Sequence, residues 1–214
     1  MPKGTFSNLP EVKRRRIIDA ALEEFSANSY GRASLTRITR QAGIAKGSMY
    51  QYFDDKFDLY CYLLRLAGER KLAFISEAIE ALGPGPDFFA MLKAAVVGGF
   101  RLAREDSRLL ALGNRFVLEM DPGWREKVMV RLGLRGESTI EEWARDGVRR
   151  GEIDPGIKPS TAARLIWAAS ESVGQELAAG KLSPDQAEAE FTALIGVLER
   201  GLRPRAGEKG EMNR

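Results

Sequence analysis

The stretch that decides the fold covers residues 34–53 and reads SLTRITRQAGIAKGSMYQYF. Its apolar residues recur at helical spacing on both sides of Gly43. A helix-turn-helix requires two short helices joined by a turn that often contains glycine, and Gly43 is expected to supply this turn, which would strain most other residues. The sequence therefore predicts a helix-turn-helix with a small core formed by Leu35, Ile38, Ala42, Ile44, Met49 and Phe53.

The side chains left outside this predicted core suit DNA. Ser34 is placed to cap the first helix of this helix-turn-helix. Thr36, Arg37 and Arg40 would position that helix across a phosphate backbone. Gly47 has no side chain, so the backbone there can approach a groove closely. The second helix would point its positive N-terminal end toward phosphate. The donors on it and just before it are Lys46, Ser48, Tyr50 and Tyr52.

The net charge of the chain lies entirely in its first part. Residues 1–60 carry ten Lys and Arg against seven Asp and Glu, which gives +3, and residues 61–214 carry 23 of each. Residues 31–53 contain no acid at all. A short basic segment on an otherwise neutral chain favours a polyanion partner. On charge alone, a basic face that only contacts water explains the pattern equally well.

Glycine and proline divide the chain into about nine helical segments, and no pair of strands is evident. The first helix of the chain is predicted to begin near Pro10. Asp55 and Asp58 have the spacing of a capping box with Asp in place of Glu, and they predict a long helix that ends near Leu82, before GPGP at residues 83–86. Further helices are predicted at residues 87–104, 107–120, 122–135, 137–150, 160–179 and 184–201.

The sequence around the helix-turn-helix forms a longer pattern. It opens with IIDAALEEF at residues 17–25 and continues through Gly31, Ile38, Ala42, Gly43, Ile44, Lys46, Gly47, Ser48, Tyr50, Phe53, Lys56 and Leu59. This pattern covers about a fifth of the chain, and it closely resembles the TetR family of bacterial transcriptional regulators. Three positions depart from the commoner residues of that family. Ala45 stands where Ser or Thr often caps the recognition helix, Thr39 where Ala is usual, and Tyr52 where His is frequent.

The resemblance assigns roles to individual residues. It implies phosphate contacts by Lys46, Tyr50, Tyr52 and Lys56. It places Ser48 and Gln51 near base edges. The alternatives are that Tyr50 and Tyr52 are packing aromatics and that Lys56 is an ordinary exposed lysine.

The resemblance also implies an all-α architecture, with a three-helix helix-turn-helix domain at residues 1–55 and a larger helical ligand-binding and dimerisation domain at residues 56–203. The composition of residues 204–214, rich in Gly, Lys and Glu, predicts a disordered tail. The last two strong helices each carry an apolar stripe, and in the family such helices pair with their two-fold mates. Burial within one subunit must account for part of the same surface. The large or polar side chains expected to converge on a ligand pocket are Phe100, Asn114, Phe116, Met120, Trp124, Trp143 and Trp167. The alternative, that each is an ordinary core or surface residue, fits the sequence at least as well.

The function implied is that of a homodimeric, ligand-responsive regulator. Most such proteins are repressors that bind a near-palindromic double-stranded operator and leave it when a small-molecule effector binds. The sequence itself leaves activation, the identity of the effector and the operator sequence open.

Competing classes fit the composition less well. The chain has no histidine, which removes the commonest general base and metal ligand, and its one cysteine, Cys61, forms no zinc pair. We therefore expect no enzymatic activity, cofactor or metal. A purely DNA-bending protein would not need the long segment that follows the basic domain. The longest apolar stretch, residues 88–100, is too short to span a bilayer, so we expect a cytoplasmic protein.

Overall fold

A computed structural model describes residues 2–119, 121–133 and 139–205 of the chain. These residues form helices and connecting turns and contain no strand, which confirms the all-α class. The helices are α1 (Gly4–Ser7), α2 (Glu11–Ala27), α3 (Leu35–Ala42), α4 (Lys46–Tyr52), α5 (Lys56–Glu80), α6 (Phe88–Glu105), α7 (Ser107–Glu119), α8 (Pro122–Leu132), α9 (Thr139–Arg149), α10 (Pro159–Ala178) and α11 (Pro184–Leu202). Nearly all of the predicted tail, residues 206–214, lies outside the described residues.

The described part of the chain contains eleven helices, where the sequence predicted about nine segments and gave positions for ten. The one-turn helix α1 was not anticipated, because four residues are too few to show a helical period. The predicted helix at residues 122–135 ends earlier, at Leu132, because Gly133 takes left-handed backbone angles with φ 72°. No helix in the described ranges has the length and the hydropathy needed to cross a membrane.

The residues predicted to begin and end helices around the helix-turn-helix do so in the structure. The Ser34 hydroxyl accepts a hydrogen bond from the Arg37 amide at 3.4 Å and caps α3. Gly43 ends α3 with φ 66°, in the left-handed region where glycine is unstrained. At the start of α5, the Asp58 amide donates to Asp55 Oδ1 at 2.7 Å, and the Asp54 amide donates to Asp58 Oδ2 at 3.4 Å. The predicted Asp-based cap is therefore confirmed.

The chain divides into two compact units. The first contains Met1–Leu72 and Leu102–Arg135, so α7 and α8 belong to the same unit as the helix-turn-helix. Its core combines buried side chains of α2, α3, α4, α5 and α7. The fully buried members from these helices include Ile17, Phe25, Ile38, Met49, Leu59, Leu63 and Leu112.

The second unit contains Ala73–Arg101 and Gly136–Arg214. Its core joins α6, α9, α10 and α11, and its buried residues include Phe88, Phe89, Ala144, Ile153, Ala162, Ile166 and Ile195. At Gly98, a Cβ atom would lie 2.5 Å from the Phe74 carbonyl oxygen and 2.7 Å from Ile75 Cα. The two helix backbones approach so closely here that only glycine fits.

Candidate nucleic-acid interface

Helix α4 has one buried side and one exposed side. Met49 and the following Phe53 are fully buried. Lys46, Gly47 and Gln51 are exposed, Ser48 is half-buried, and the Tyr50 side chain retains 47% of its accessible surface. The helix therefore uses its apolar residues to attach to the unit and presents donors to solvent. This separation matches the one expected from the sequence.

Helix α3 adds exposed polar groups to the same unit. Thr36 and Arg40 are exposed, whereas Ile38 and Thr39 are buried. The Thr39 hydroxyl donates to the Thr36 carbonyl at 3.1 Å. A threonine is therefore accommodated at this buried position, because its hydroxyl forms a hydrogen bond within its own helix.

Arg37 is tied to a buried carboxylate. Its Nε donates to Glu24 Oε2 at 2.8 Å and to Oε1 at 3.0 Å, and its Nη2 also bonds Glu24. The Ser34 amide donates to the same carboxylate at 2.8 Å. The Arg37 guanidinium, with the Ser34 amide beside it, holds the pKa of the Glu24 carboxyl below its usual value. Arg37 therefore fixes the start of α3 on α2, and any phosphate contact it makes is shared with this role.

The Lys56 ammonium binds backbone carbonyl groups of its own unit. Its Nζ donates to the carbonyl oxygens of Tyr30 at 2.8 Å and Ala33 at 3.1 Å, and it lies 4.6 Å from the centre of the Tyr30 ring. These contacts use the donors of the ammonium to close the turn between α2 and α3. The phosphate contact of Lys56 stays a prediction, and any such contact is shared with the carbonyl oxygens that the ammonium binds here.

Tyr52 differs from the expectation. Only 5% of its surface is accessible, and its ring lies 5.9 Å from that of Phe6. A side chain buried this far has almost no surface to present to a phosphate. We therefore replace the predicted phosphate contact with a packing role, which was the alternative reading of this tyrosine.

The recognition helix begins without a side-chain cap. Ala45 stands at the N-cap of α4 and makes no side-chain hydrogen bond. Replacing the Ser or Thr that is common at this position with Ala45 therefore leaves the recognition helix without a side-chain cap. Other contacts must stabilise a helix of only seven residues.

Comparisons with known proteins agree with this geometry. The family model described as bacterial regulatory proteins of the tetR family matches residues 17–62. The HTH-type transcriptional regulator UidR of Escherichia coli K12 is 30% identical over 86% of this chain and 92% of its own length. The crystal structure of a TetR family transcriptional regulator from Chloroflexus aurantiacus is 32% identical, covers 96% of this chain and 100% of that chain, and has a TM-score of 0.72. The chain belongs to the TetR family.

One solved TetR-like structure shares the fold at lower identity. It is the transcriptional regulator FadR of Bacillus subtilis in complex with stearoyl-CoA, with a TM-score of 0.69 and 22% identity over 88% of this chain and 99% of that chain. At this identity the likeness shows the fold alone.

The side chains predicted to form the ligand pocket of this TetR-family protein are not brought together within one unit. Phe100 and Trp143 pack on the core of the second unit. Asn114 and Phe116 are half-buried on α7 of the first unit, where Trp124 of α8 lies 4.9 Å from the Tyr30 ring and 5.4 Å from the Phe57 ring. Trp167 is 57% exposed on α10, and the ligand contact predicted for it stays a prediction. Met120 lies outside the described residues.

Proposed function

We propose that this TetR-family protein is a homodimeric repressor that binds a near-palindromic operator and leaves it when a small-molecule effector binds. The observation that carries the proposal is the division of α4 into a buried apolar side and an exposed side of donors. Residues 1–55 would form the DNA-binding domain and residues 56–203 the effector-binding and dimerisation domain. The relatives are transcriptional regulators, which supports a regulator over an enzyme, and we place it in the cytoplasm with the DNA.

The exposed and half-buried residues of α3 and α4 that we assign to DNA divide into two sets by the kind of contact. Lys46 and Tyr50 on α4, with Thr36 and Arg40 on α3, contact phosphates, and Gly47 allows the backbone to come close. The residues that face base edges are Ser48 and Gln51. Phosphate contacts carry no sequence information, whereas base contacts do.

Selection of binding sites from random duplex DNA tests this division. The wild type should select a two-fold symmetric site whose halves are roughly 34 Å apart. Gln51→Ala should change the preferred base at one position of each half-site, whereas Tyr50→Phe should weaken all duplexes alike. A wild type that selects no sequence would contradict the proposal.

We assign the dimer interface to the outward faces of α10 and α11. Leu165 of α10 is 45% exposed, and Val197 of α11 is 56% exposed. Small residues beside them permit close helix approach, namely Ala168 and Ser172 on α10 and Ala189 and Ala193 on α11. By contrast, Leu194 and Leu198 pack on the core of their own unit, so they belong to the apolar stripe that is buried within one subunit.

Light scattering tests the interface. Val197→Glu should convert the dimer to a monomer, because it places a charge in an apolar contact. Val12→Glu is the matched control, because Val12 is 70% exposed on α2, which is not a helix assigned to the interface, and this variant should stay dimeric. A wild type that is monomeric, or a Val197→Glu variant that stays dimeric, would contradict the assignment.

The effector and the operator are coupled in this proposal. An effector that favours a different separation of the two DNA-binding domains lowers operator affinity by the factor by which DNA lowers effector affinity. The fatty acid metabolism regulator protein of Bacillus subtilis is 28% identical over 72% of this chain, and the FadR structure contains stearoyl-CoA. Long-chain acyl-CoA is therefore the first compound to test. If it binds the protein without changing affinity for the selected duplex, it is not the effector.

A further inference from the structure

The C-terminal end of α4 is completed by the beginning of the chain. A helix leaves its last four carbonyl groups without partners inside the helix. In α4 these belong to Met49, Tyr50, Gln51 and Tyr52. Only the Met49 carbonyl is bonded by the chain that follows directly, through the Phe53 amide at 2.9 Å.

The other three carbonyls accept hydrogen bonds from Lys3 and Thr5. Lys3 Nζ donates to the Tyr50 carbonyl at 2.9 Å. The Thr5 hydroxyl donates to the Gln51 carbonyl. The Lys3 amide donates to the Tyr52 carbonyl at 2.9 Å. We call residues 3–6 the N-terminal clasp, because they bond the three carbonyl groups at the C-terminal end of α4 that neither the helix nor Phe53 bonds.

The clasp is anchored at both of its ends. Phe6 is 1% exposed, and its ring lies 4.8 Å from that of Phe53 and 5.5 Å from that of Tyr62. Lys3 Nζ also lies 2.9 Å from Asp54 Oδ1, and this ammonium holds the pKa of the Asp54 carboxyl below its usual value. The clasp is thus fixed on residues just after α4, and its donors are held at the helix end.

We propose that Lys3 and Thr5 are positioning residues that fix the recognition helix α4 and thereby set its affinity for specific DNA. The proposal rests on the DNA-binding role proposed for α4. A seven-residue helix without an N-terminal side-chain cap is held by few hydrogen bonds, so the loss of one weakens it noticeably. Loosening its C-terminal turn displaces Gln51, whose carbonyl Thr5 bonds and whose exposed side chain is assigned to a base edge. Sequence-specific contacts need this alignment, whereas non-specific attraction to phosphate does not.

Thr5→Val tests the clasp without changing charge. It removes the hydroxyl and keeps the size of the side chain. Thr5→Ser restores the hydroxyl, and Ser7→Ala is the matched control, because it removes an exposed hydroxyl from the same helix α1. Lys3→Met is a second variant that removes the Lys3 side-chain bond while leaving the Lys3 amide.

Hydrogen exchange of the DNA-free protein gives the first measurement. In Thr5→Val, the amides of α4 should exchange about three- to tenfold faster, as expected for the loss of one hydrogen bond, whereas those of α2 should be unchanged. Ser7→Ala and Thr5→Ser should match the wild type. An α4 that exchanges at the wild-type rate in both Thr5→Val and Lys3→Met would overturn the clasp.

DNA affinity gives the second measurement, with the duplex that the wild type selects and a random duplex as probes. Thr5→Val should bind the selected duplex on the order of tenfold more weakly, because one hydrogen bond is lost in each subunit. Its affinity for the random duplex and its salt dependence should not change, since Thr5 has no charge. Equal loss on both duplexes, or no loss despite faster exchange, would overturn the positioning role. If the wild type prefers no duplex, the proposed function fails, while the exchange rates still decide whether the clasp holds α4.

Discussion

The buried carboxylate of Glu24 should stabilise the helix-turn-helix in a way that depends on pH. Glu24 accepts hydrogen bonds from the Ser34 amide and from Arg37, and its side chain is 7% exposed. Glu24→Gln keeps the shape but removes the charge that strengthens these bonds. We expect the free energy of unfolding to fall by about 1–2 kcal/mol. For a protein of this length, that corresponds to a melting temperature lower by about 2–8 °C at pH 7.

The sign of the pH dependence follows from the lowered pKa of Glu24. The stabilisation is complete above the unfolded-state pKa of about 4.3 and is lost as the pH falls through the lower folded-state value. The difference in melting temperature between wild type and Glu24→Gln should therefore shrink below pH 4. Circular dichroism melts at several pH values measure it, with the exposed Glu23→Gln as control. Equal melting temperatures of wild type and Glu24→Gln at pH 7, or a difference between them that does not change with pH, would refute the reasoning.

Two further predictions concern buried positions. Gly98→Ala should destabilise the protein by about 1–3 kcal/mol, because its Cβ would lie 2.5 Å from the Phe74 carbonyl oxygen. Gly68→Ala on α5 is the control and should be neutral or stabilising, because a Cβ there meets no atom within 4 Å. Denaturant unfolding that finds Gly68→Ala the less stable variant would contradict the close approach at Gly98. Burial raises the pKa of the Cys61 thiol to about 11, so a thiol reagent at pH 8 should label it only after unfolding, and rapid labelling of the native protein would show that the thiol is accessible.

The sequence predicted those parts of the fold that depend on local signals. The Ser34 cap, the left-handed turn at Gly43 and the Asp55 cap each follow from one residue type at one position, and each is present. The separation of Met49 from Tyr50 likewise follows from helical period. Such features need no knowledge of distant residues.

The features that the sequence did not predict depend on residues far apart along the chain. The phosphate contact of Lys56 was predicted from the family resemblance alone. Its bond to the Tyr30 carbonyl could not be predicted, because any sequence supplies such carbonyl groups and only the fold brings this one close. Lys3 and Thr5 show no periodicity, and their partners lie more than forty residues away. The one local signal that pointed to them was Ala45, because an uncapped recognition helix needs support from elsewhere.

The salt dependence of DNA affinity tests the central claim most directly. Of the four cations in and just after the helix-turn-helix, Arg37 is paired with Glu24 and Lys56 binds carbonyl oxygens, whereas Arg40 and Lys46 are exposed on α3 and α4. Two such contacts in each subunit give four in the dimer, and at about −0.9 each they predict a slope of log affinity against log salt of about −3.6. Lys46→Met should flatten the slope by about 1.8, whereas Lys181→Met, which removes the same charge from the turn between α10 and α11, should leave it unchanged. A slope near zero, or one that Lys46→Met does not alter, would contradict DNA binding through α4.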